Sequence, residues 1–364
     1  MKVIISGGGT GGHIYPAVAI ANALKSLDPT IEILFVGAEG KMEMEKVPKA
    51  GYLIIGLPIT GIQRSMSLSN LAFPFKLIKS LAMARGIIKN FKPDIAVGVG
   101  GYASGPLLLV ASMLGLPTVI QEQNSYAGIT NKVLSKWAKK IFVAYPNMEK
   151  FFPNEKILFY GNPVRSDILD ISSKRDQAAK LFQLDASKKT LLIIGGSLGA
   201  RSINESIAAG LVRLLDQGYQ ILWQTGKGYA RQAEELILKM KGRPVRSLTF
   251  IYDMDLAYAL ADVVVSRAGA LSVSELCLVA KPCILVPYPY ASEDHQTQNA
   301  LSLVNINAAW MVKDDLASSE LITKTLALLS DVGQQEILAK NIRTLAQPDA
   351  AMHIAKEIIG LVDK

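Results

Sequence analysis

A short apolar run that ends in a glycine-rich turn and leads into a helical pattern occurs twice in this 364-residue chain. The first copy consists of Lys2–Ser6, the turn Gly7–His13 and the periodic run Tyr15–Leu27. The second consists of Lys189–Ile194 and the turn Gly195–Ala200, again followed by a helical run. Strand–turn–helix units in series predict parallel sheets that are covered by helices on both faces.

A second pair of segments repeats in the same order. Asp94–Ser104 leads through a helical pattern to the apolar run Leu116–Ile120, and Asp262–Ser272 leads in the same way to Lys281–Val286. Two such series predict an α/β protein with two Rossmann-like, doubly wound domains that face each other across a cleft. Ligands of doubly wound sheets bind beyond the carboxyl ends of the strands, so we expect the chemistry in the loops there.

The boundary between the two domains is predicted near Tyr160–Arg165, where glycine and proline interrupt the pattern. We therefore predict an N-terminal domain at residues 1–163 and a C-terminal domain at residues 164–347. The last predicted helix, at residues 348–362, begins at a proline and can pack on either domain, including back on the N-terminal one.

Basic residues are concentrated in the first part of the chain. The formal charge is +8, and residues 1–163 hold 17 lysines and arginines against 9 aspartates and glutamates, whereas the remainder is balanced. The span Lys46–Pro93 has eight basic residues and no acidic one. Such a local excess predicts an anionic partner, which could be nucleic acid, a membrane surface or an acidic substrate.

Composition excludes several other classes of protein. Half of the residues are apolar and 19% are charged, which is incompatible with general disorder. Two cysteines are too few for a disulfide scaffold and fit a reducing compartment. The N-terminus lacks the pattern of a signal peptide, and the longest apolar stretch, Gly105–Ile120, contains prolines and is shorter than a membrane span.

The first glycine turn is a candidate anion site, because glycine lets the backbone approach a ligand and the following helix directs N–H groups toward it. The spacing Gly7-x-Gly9-x-x-Gly12 also occurs in dinucleotide-binding folds. Those folds carry an acidic ribose ligand at the end of the second strand. Here Glu32 precedes the apolar run Ile33–Val36, and we find no convincing acid after it, so we expect no nicotinamide cofactor.

The second glycine turn could also bind an anion, with the hydroxyl of Ser197 donating to a phosphate oxygen, or it could be a purely structural turn. The segment Arg267–Glu275 places another small-residue turn at a strand end, with Glu275 in the first helical turn. A carboxylate beside phosphate-binding amides suits the vicinal hydroxyls of a ribose. Ser272 and Glu275 also have the spacing of a capping box, which is the structural alternative.

Three further polar groups have competing interpretations. Asp294–Asn299 follows a strand, and its amides and hydroxyls could bind sugar hydroxyls or cap the next helix. His13 lies in a glycine loop, where it could act as a general base near neutral pH, whereas His353 is expected to be structural. Asp253 and Asp255 have the spacing of a metal-binding pair, but we interpret Asp255 as a helix N-cap and predict no metal site.

Leu71–Phe91 is predicted to be a helix whose basic residues contact anionic headgroups, with a core helix carrying solvated lysines as the alternative. The candidate membrane patch consists of Lys76, Lys79, Arg85 and Lys89. On a helical wheel we place Lys76 and Lys79 roughly opposite Arg85, Lys89 and Lys92, so no single amphipathic stripe is predicted. Basic residues are not interleaved with stacking aromatics, and we expect no nucleic-acid partner.

Six short motifs occur together and in order: Gly8–His13, Gly100–Pro106, Glu122–Asn124, Gly161–Arg165, Gly195–Ala200 and Arg267–Glu275. Together they closely resemble the MurG family of N-acetylglucosaminyltransferases of peptidoglycan synthesis, over essentially the whole chain. The resemblance implies a GT-B fold and an inverting transfer of N-acetylglucosamine from UDP-GlcNAc to the 4-hydroxyl of lipid I, which gives lipid II. It further implies a peripheral location on the cytoplasmic face of the anionic inner membrane, among other proteins of cell-wall synthesis.

The resemblance also implies roles for individual residues. Glu275 would hold the ribose, backbone atoms of Ile251 would meet the uracil, and His13 matches the histidine proposed to act near the acceptor as the base. The implied donor contacts are Thr10, Gly11, Gly12, Asn124, Arg165, Ser197, Ile251, Ala270, Leu271, Ser272, Val273, Ser274, Glu275 and Gln296. One position departs from the family pattern, since Gln121 stands where many relatives have histidine, and we expect it to act indirectly.

The resemblance is compatible with a metal-free mechanism. Arg165, Ser197 and the N–H groups of glycine turns and helix N-termini can stabilise the departing UDP, so we expect neither a cofactor nor an essential divalent ion. Two functions of other classes remain as alternatives. One is a UDP-GlcNAc epimerase on the same fold, which would need no lipid acceptor, and the other is a non-catalytic membrane scaffold that binds nucleotide sugar.

Overall fold

A computed structural model describes residues 1–61, 73–164, 168–196, 198–291 and 294–362. The chain divides into two compact units, one formed by Met1–Arg165 with Asp349–Lys364 and the other by Ser166–Pro348. Each unit contains its own parallel sheet, helices and hydrophobic core. The predicted α/β class with two Rossmann-like sheets is therefore confirmed.

The first unit is built on a seven-stranded sheet in which every pair of neighbouring strands is parallel. Its strands are β1 Lys2–Ser6, β2 Glu32–Ala38, β3 Leu53–Leu57, β4 Ile95–Gly98, β5 Thr118–Glu122, β6 Lys140–Val143 and β7 Ile157–Phe159. The spatial order is β3-β2-β1-β4-β5-β6-β7. The order reverses between β1 and β4, and this switch point is where loops of such sheets part to leave room for a ligand.

Helices cover both faces of this sheet. They are α1 Gly11–Leu27, α2 Glu43–Lys49, α3 Phe73–Phe91, α4 Ser104–Met113 and α5 Ile129–Leu134. The core joins the fully buried Ile5 of β1 and Val97 of β4 to Ile14 and Ile20 of α1. A strand that is buried on both faces consists of a continuous apolar run, and β1 and β4 were therefore recognisable in the sequence.

The second unit repeats the design with a six-stranded parallel sheet. Its strands are β8 Thr190–Ile194, β9 Gln220–Gln224, β10 Val245–Leu248, β11 Val263–Ser266, β12 Cys283–Leu285 and β13 Trp310–Met311. The order is β10-β9-β8-β11-β12-β13, with the switch point between β8 and β11. Its helices are α6 Arg175–Phe182, α7 Arg201–Asp216, α8 Ala230–Leu238, α9 Met254–Leu260, α10 Ala270–Val279, α11 His295–Val304, α12 Ala317–Ser330 and α13 Val332–Arg343.

The C-terminal helix, α14 Ala350–Val362, packs on the first unit although it follows the second in sequence. Ile354 and Ile358 are fully buried in the same core as α1. The hydroxyl of Tyr160 also donates to the Glu357 carboxylate at 3.0 Å. His353, on the same helix, is exposed and its ring lies 5.2 Å from that of Tyr160.

Helix α3 shows one buried and one exposed side. Its buried residues Ser80, Ala84 and Ile88 recur every fourth position, so a narrow stripe packs on the unit. The exposed residues of α3 include Phe75, Ile78, Lys79, Arg85 and Lys89. The predicted separation of the basic residues is therefore wrong for Lys79, which is exposed together with Arg85 and Lys89. Lys76 is half-buried, and its Nζ lies 3.5 Å from the hydroxyl of Thr60.

None of the helices in the described part of the chain combines the length and the apolar character that a bilayer-spanning segment needs.

Substituting Ile358→Ala should destabilise the first unit selectively. The side chain is fully buried against α1, and removing it leaves a cavity that costs about 2–5 kcal/mol. Hydrogen exchange should speed up in the first unit and stay unchanged in the second. The matched control is Ile337→Ala on the surface of the second unit, where the side chain is 46% exposed and little change is expected. Equal effects of the two variants on the first unit would contradict this packing.

Candidate active site

Two loops meet at the switch point of the first unit. The loop after β1 donates from Gly8 N to Gly100 O, in the loop after β4, at 3.3 Å. Gly101 has a φ of +90°, and a Cβ there would overlap the Gly8 carbonyl. The hydroxyl of the buried Ser104 also donates to Ser6 O at 2.9 Å and to Gly100 O at 2.8 Å. The two backbones are therefore in direct contact and leave little freedom to the glycine turn.

His13 was predicted in the glycine loop, but α1 begins at Gly11, so His13 is the third residue of that helix, and hydrogen bonds define its ring orientation. Its Nδ1 is 3.0 Å from Gly8 O and 3.4 Å from the hydroxyl of Thr10. A carbonyl oxygen can only accept a hydrogen bond, so Nδ1 carries the proton, and in the neutral ring the lone pair is on Nε2. A Cβ at Gly100 would lie 2.6 Å from Cδ2 and 2.8 Å from Nε2, so glycine is required beside the ring. This is the tautomer that a base acting through Nε2 needs.

A buried carboxylate beneath the turn was missed by the sequence analysis. Glu43, in the first turn of α2, is 1% exposed and accepts hydrogen bonds from the N–H groups of Gly9 at 2.8 Å and Ala38 at 3.0 Å. Its position 34 residues after Gly9, beside an otherwise basic stretch, gave no periodic signal. The only indication in the sequence was that Glu43 lies just before the span Lys46–Pro93, which contains eight basic residues and no acidic one.

The predicted site residue Asn124 is held by a second buried carboxylate. Glu122, at the end of β5, accepts from Asn124 N at 3.1 Å, Gly128 N at 3.1 Å and Asn131 Nδ2 at 2.9 Å. The glutamate is 2% exposed. The loop after β5 is thus folded around one acidic side chain, which positions Asn124 at the carboxyl end of the sheet.

Gln121 is fully buried in an amide network. Its Nε2 donates to Asn162 Oδ1 at 2.9 Å, and its Oε1 accepts from Gln123 Nε2. Asn162 in turn donates to Gln123 O at 3.0 Å, and Gln123 Nε2 donates to Val99 O at 2.8 Å. Gln121 and Gln123 together therefore connect the loops after β4, β5 and β7, and Gln121 presents no group to solvent. An indirect role for it stays a prediction.

In the second unit the glycine turn after β8 contacts the loop after β9. Gly199 has a φ of +84°, and a Cβ there would overlap Thr225 O. The buried Gln224 links the turn to a third loop, since its Nε2 donates to Gly196 O at 3.0 Å and its Oε1 accepts from Ile251 N at 2.9 Å. Ile251 is therefore fixed relative to the second glycine turn by one side chain.

Glu275 lies in α10, but not where the sequence placed it. The helix begins at Ala270, so Glu275 belongs to the second turn and Ser272 lies inside the helix. A capping box is therefore excluded, and so is a carboxylate in the first turn. The buried Tyr258, on α9, donates its hydroxyl to Glu275 Oε2 at 3.0 Å. Aromatic packing of α9 thus orients a carboxylate near the N-terminus of α10.

The structure describes only some of the remaining predicted donor contacts. Gln296, on α11, accepts from Tyr288 N at 3.0 Å and so holds the loop after β12. Thr297 donates to Asp294 at 2.6 Å at the start of the same helix. The first residues of α10, Ala270–Ser274, follow β11 at the switch point. Arg165 and Ser197 lie outside the described residues.

Two interpretations of acidic residues are wrong. Helix α9 begins at Met254, so Asp255 is inside its first turn, and its carboxylate accepts from Lys174 at 2.8 Å instead of capping the helix. Strand β2 extends to Ala38, so an acidic residue, Glu39, does follow the second strand. The argument against a dinucleotide from the absence of such an acid therefore fails.

Cys277 and Cys283 are buried free thiols. Burial raises the pKa of Cys277 to about 12 and also raises the pKa of Cys283, so both thiols stay protonated at neutral pH and are poor nucleophiles. Within the described ranges, no group of three or more histidine, cysteine, aspartate or glutamate side chains could hold a metal ion.

Comparisons with known proteins cover both units. The N-terminal domain of glycosyltransferase family 28 matches residues 3–143, and the C-terminal domain of that family matches residues 190–354. The UDP-N-acetylglucosamine–N-acetylmuramyl-(pentapeptide) pyrophosphoryl-undecaprenol N-acetylglucosamine transferase of Cytophaga hutchinsonii is 56% identical over 100% of this chain and 97% of its own length. The enzyme of the same name from Flavobacterium psychrophilum is 55% identical, over 100% of this chain and 98% of its own.

Solved structures agree with this grouping. Acinetobacter baumannii MurG superimposes with a TM-score of 0.80 and 32% sequence identity, over 99% of each chain. UDP-GlcNAc 2-epimerase from Neisseria meningitidis superimposes with a TM-score of 0.70 over 99% of this chain and 100% of its own, but at 15% identity it shows the fold alone.

The two Rossmann-like sheets and the matches to both domains define a glycosyltransferase with the GT-B fold, as predicted. Within that class the chain belongs to glycosyltransferase family 28 and, there, to the MurG N-acetylglucosaminyltransferases.

Substituting Gly199→Ala should destabilise the second unit more than Gly196→Ala. Both glycines have φ above +80°, so each substitution carries a left-handed strain of about 1–2 kcal/mol. Only at Gly199 would the new methyl group overlap a neighbouring backbone atom, whereas Gly196 has open space. Urea unfolding followed by tryptophan fluorescence measures the difference, in a Trp137→Phe background that leaves only Trp223 and Trp310 of the second unit. Equal losses of stability would show that the contact with Thr225 O is not constraining.

Proposed function

We propose that this protein transfers N-acetylglucosamine from UDP-GlcNAc to the 4-hydroxyl of lipid I, undecaprenyl-pyrophosphoryl-MurNAc-peptide, and so forms lipid II with inversion at the anomeric carbon. The observation that carries this proposal is 56% identity, over the whole chain, to a transferase whose name states the sugar and the lipid-linked acceptor. The epimerase alternative has support only from structures that are 13–15% identical, which share the fold.

His13 is the proposed general base. An inverting transfer needs a group that takes the proton of the acceptor hydroxyl as that oxygen attacks the anomeric carbon. The Nδ1 hydrogen bond to Gly8 O keeps the proton on the far side of the ring and leaves the Nε2 lone pair for this task. The imidazolium that forms would remain bonded to the same carbonyl.

The donor would be bound mainly by loops of the second unit. Helix α10 directs its first N–H groups and the positive end of its dipole beyond β11, which suits the pyrophosphate of UDP as negative charge develops on it. Glu275, which accepts from the Tyr258 hydroxyl, would accept from ribose hydroxyls. The main chain of Ile251, fixed by Gln224, is the proposed uracil contact. Arg165, Ser197, Asn124 and Gln296 complete the proposed donor set with Thr10, Gly11 and Gly12.

The decisive experiment incubates the protein with labelled UDP-GlcNAc and a lipid I analogue and identifies the products. Transfer to the analogue supports the proposal, release of 2-epimerised UDP-sugar supports the epimerase, and binding without turnover supports the scaffold. His13→Ala should lower turnover by a factor of about 10²–10⁴, since a positioned base contributes that much. His353→Ala, which removes an exposed histidine on α14, is the control and should leave turnover intact.

The exposed side of α3 is the proposed contact with the anionic inner face of the cell membrane. Lys79, Arg85 and Lys89 share this side with Phe75 and Ile78, which are 77% and 65% exposed. Helix α4 packs beside α3 and ends at Met113, which is also 77% exposed. Large apolar side chains among basic ones suit a surface that inserts shallowly between anionic headgroups.

Replacing Lys76, Lys79, Arg85 and Lys89 together by glutamine should weaken binding to anionic vesicles. Each basic residue near such a surface contributes about 1 kcal/mol, so the partition coefficient should fall by roughly two to three powers of ten. Vesicle sedimentation at low salt measures the loss, and UDP affinity should not change.

The matched control removes the same charge from exposed positions of the second unit: Arg213, Lys227, Lys239 and Lys241. Vesicle binding that survives the α3 substitutions, or that falls equally in the control, would contradict the proposed membrane patch.

A further inference from the structure

The buried Glu43 and the candidate base His13 bind opposite ends of one peptide group. Gly9 N donates to Glu43 Oε2 at 2.8 Å, and Gly8 O accepts from His13 Nδ1 at 3.0 Å. The Gly8 carbonyl and the Gly9 N–H belong to the same planar peptide unit, in which they point in opposite directions. A chain of three groups therefore runs from the carboxylate through the peptide to the imidazole.

Space for the carboxylate is made by two glycines. A Cβ at Gly8 would overlap Glu43 Oε1, and a Cβ at Gly37 would lie 2.5 Å from Glu43 Cγ. Glu43 Oε2 accepts from Gly9 N in the turn, and Oε1 accepts from Ala38 N at 3.0 Å. The side chain thus connects the turn after β1 to the end of β2, and neither oxygen is left to act as a general surface acid.

This arrangement changes what the first glycine turn can do. In a phosphate-binding turn the N–H groups point at the anion, but here the Gly9 N–H is used by an internal carboxylate. A carboxylate buried at that place also disfavours a second negative charge beside it. The Gly8–Gly9 part of the turn is therefore built to hold His13 rather than a phosphate.

We propose that Glu43 is a positioning residue that orients His13 through the Gly8–Gly9 peptide. A hydrogen bond from the N–H to a carboxylate polarises the peptide and makes its carbonyl a stronger acceptor. The stronger acceptor holds the proton on Nδ1 and stabilises the ring when Nε2 takes up a proton. Glu43 would thus do through one peptide what a carboxylate in direct contact does for a catalytic histidine. The inference rests on the proposed role of His13 as the base.

The tautomer of His13 tests the inference without any measurement of activity. The chain has three histidines, so ¹⁵N-histidine labelling gives few signals, and His13→Ala assigns the one that matters. The unaltered protein should show the Nδ1–H tautomer of His13. In Glu43→Gln, whose amide replaces one acceptor oxygen by a donor, the signal should shift toward the Nε2–H tautomer.

The control variant is Glu45→Gln, which makes the same change on the same helix at an exposed side chain that pairs with Lys49. It should leave the His13 signal unchanged. A predominant Nε2–H tautomer in the unaltered protein would overturn the inference even if Glu43→Gln failed to fold. So would an unchanged His13 signal in a folded Glu43→Gln.

Kinetics separate this inference from the proposed function. Glu43→Gln should lower kcat about 10–100-fold, the range for groups that orient a catalytic ligand, with little change in the KM for UDP-GlcNAc. In a His13→Ala background the same substitution should have almost no further effect, because the two residues act as one unit. Equal factors in both backgrounds would overturn the inference. A tautomer shift in Glu43→Gln together with full turnover in His13→Ala would support the positioning by Glu43 and reject His13 as the base.

Discussion

Direct backbone contact between loops at the carboxyl ends of the strands sets what each unit can bind. In the first unit Gly8 touches the Gly100–Gly101 segment, and in the second Gly199 touches Thr225. No side chain can occupy these contact points without moving backbone. The loops therefore cannot shift relative to their sheets. The groups that they carry are in position before a ligand binds, so binding requires little further ordering of the protein.

The two glycine turns are alike in sequence but supported differently. The first contacts the loop after β4, across the switch point, while the second contacts the loop after β9, away from it. Beneath the first lies the carboxylate of Glu43, and beside the second lies the neutral amide of Gln224. A neutral amide leaves the second turn compatible with a pyrophosphate, whereas the carboxylate of Glu43 makes the Gly8–Gly9 part of the first turn a poor place for one. The two units therefore share a fold but differ in the charge of the side chain that supports the glycine turn.

The sequence predicted the parts of this protein that depend on local pattern. The buried strands β1, β4, β8 and β11 and the glycine turns are visible because apolar runs and glycine clusters are adjacent in the chain. The support of the site was not predictable in this way. Glu43 and Tyr258 act on residues 34 and 17 positions away, across different elements, and no spacing rule links them. The start of α10 was also misplaced, because small residues let a helix begin earlier than a capping pattern suggested.

The charge of Arg267 is not available to a ligand of the second unit. This arginine lies in the turn after β11, where a phosphate ligand would be expected, yet its guanidinium is buried and bonded to Asp314, Ser202 and the carbonyl of Val286. Its charge is therefore paired with Asp314 within the unit, and its hydrogen bonds join α7 to the ends of β11 and β12. The N–H groups at the start of α10 are then the groups of this loop that can meet a phosphate, and they bring no net charge. The excess of +8 arises in residues 1–163, which belong to the other unit and include the exposed Lys79, Arg85 and Lys89 of α3.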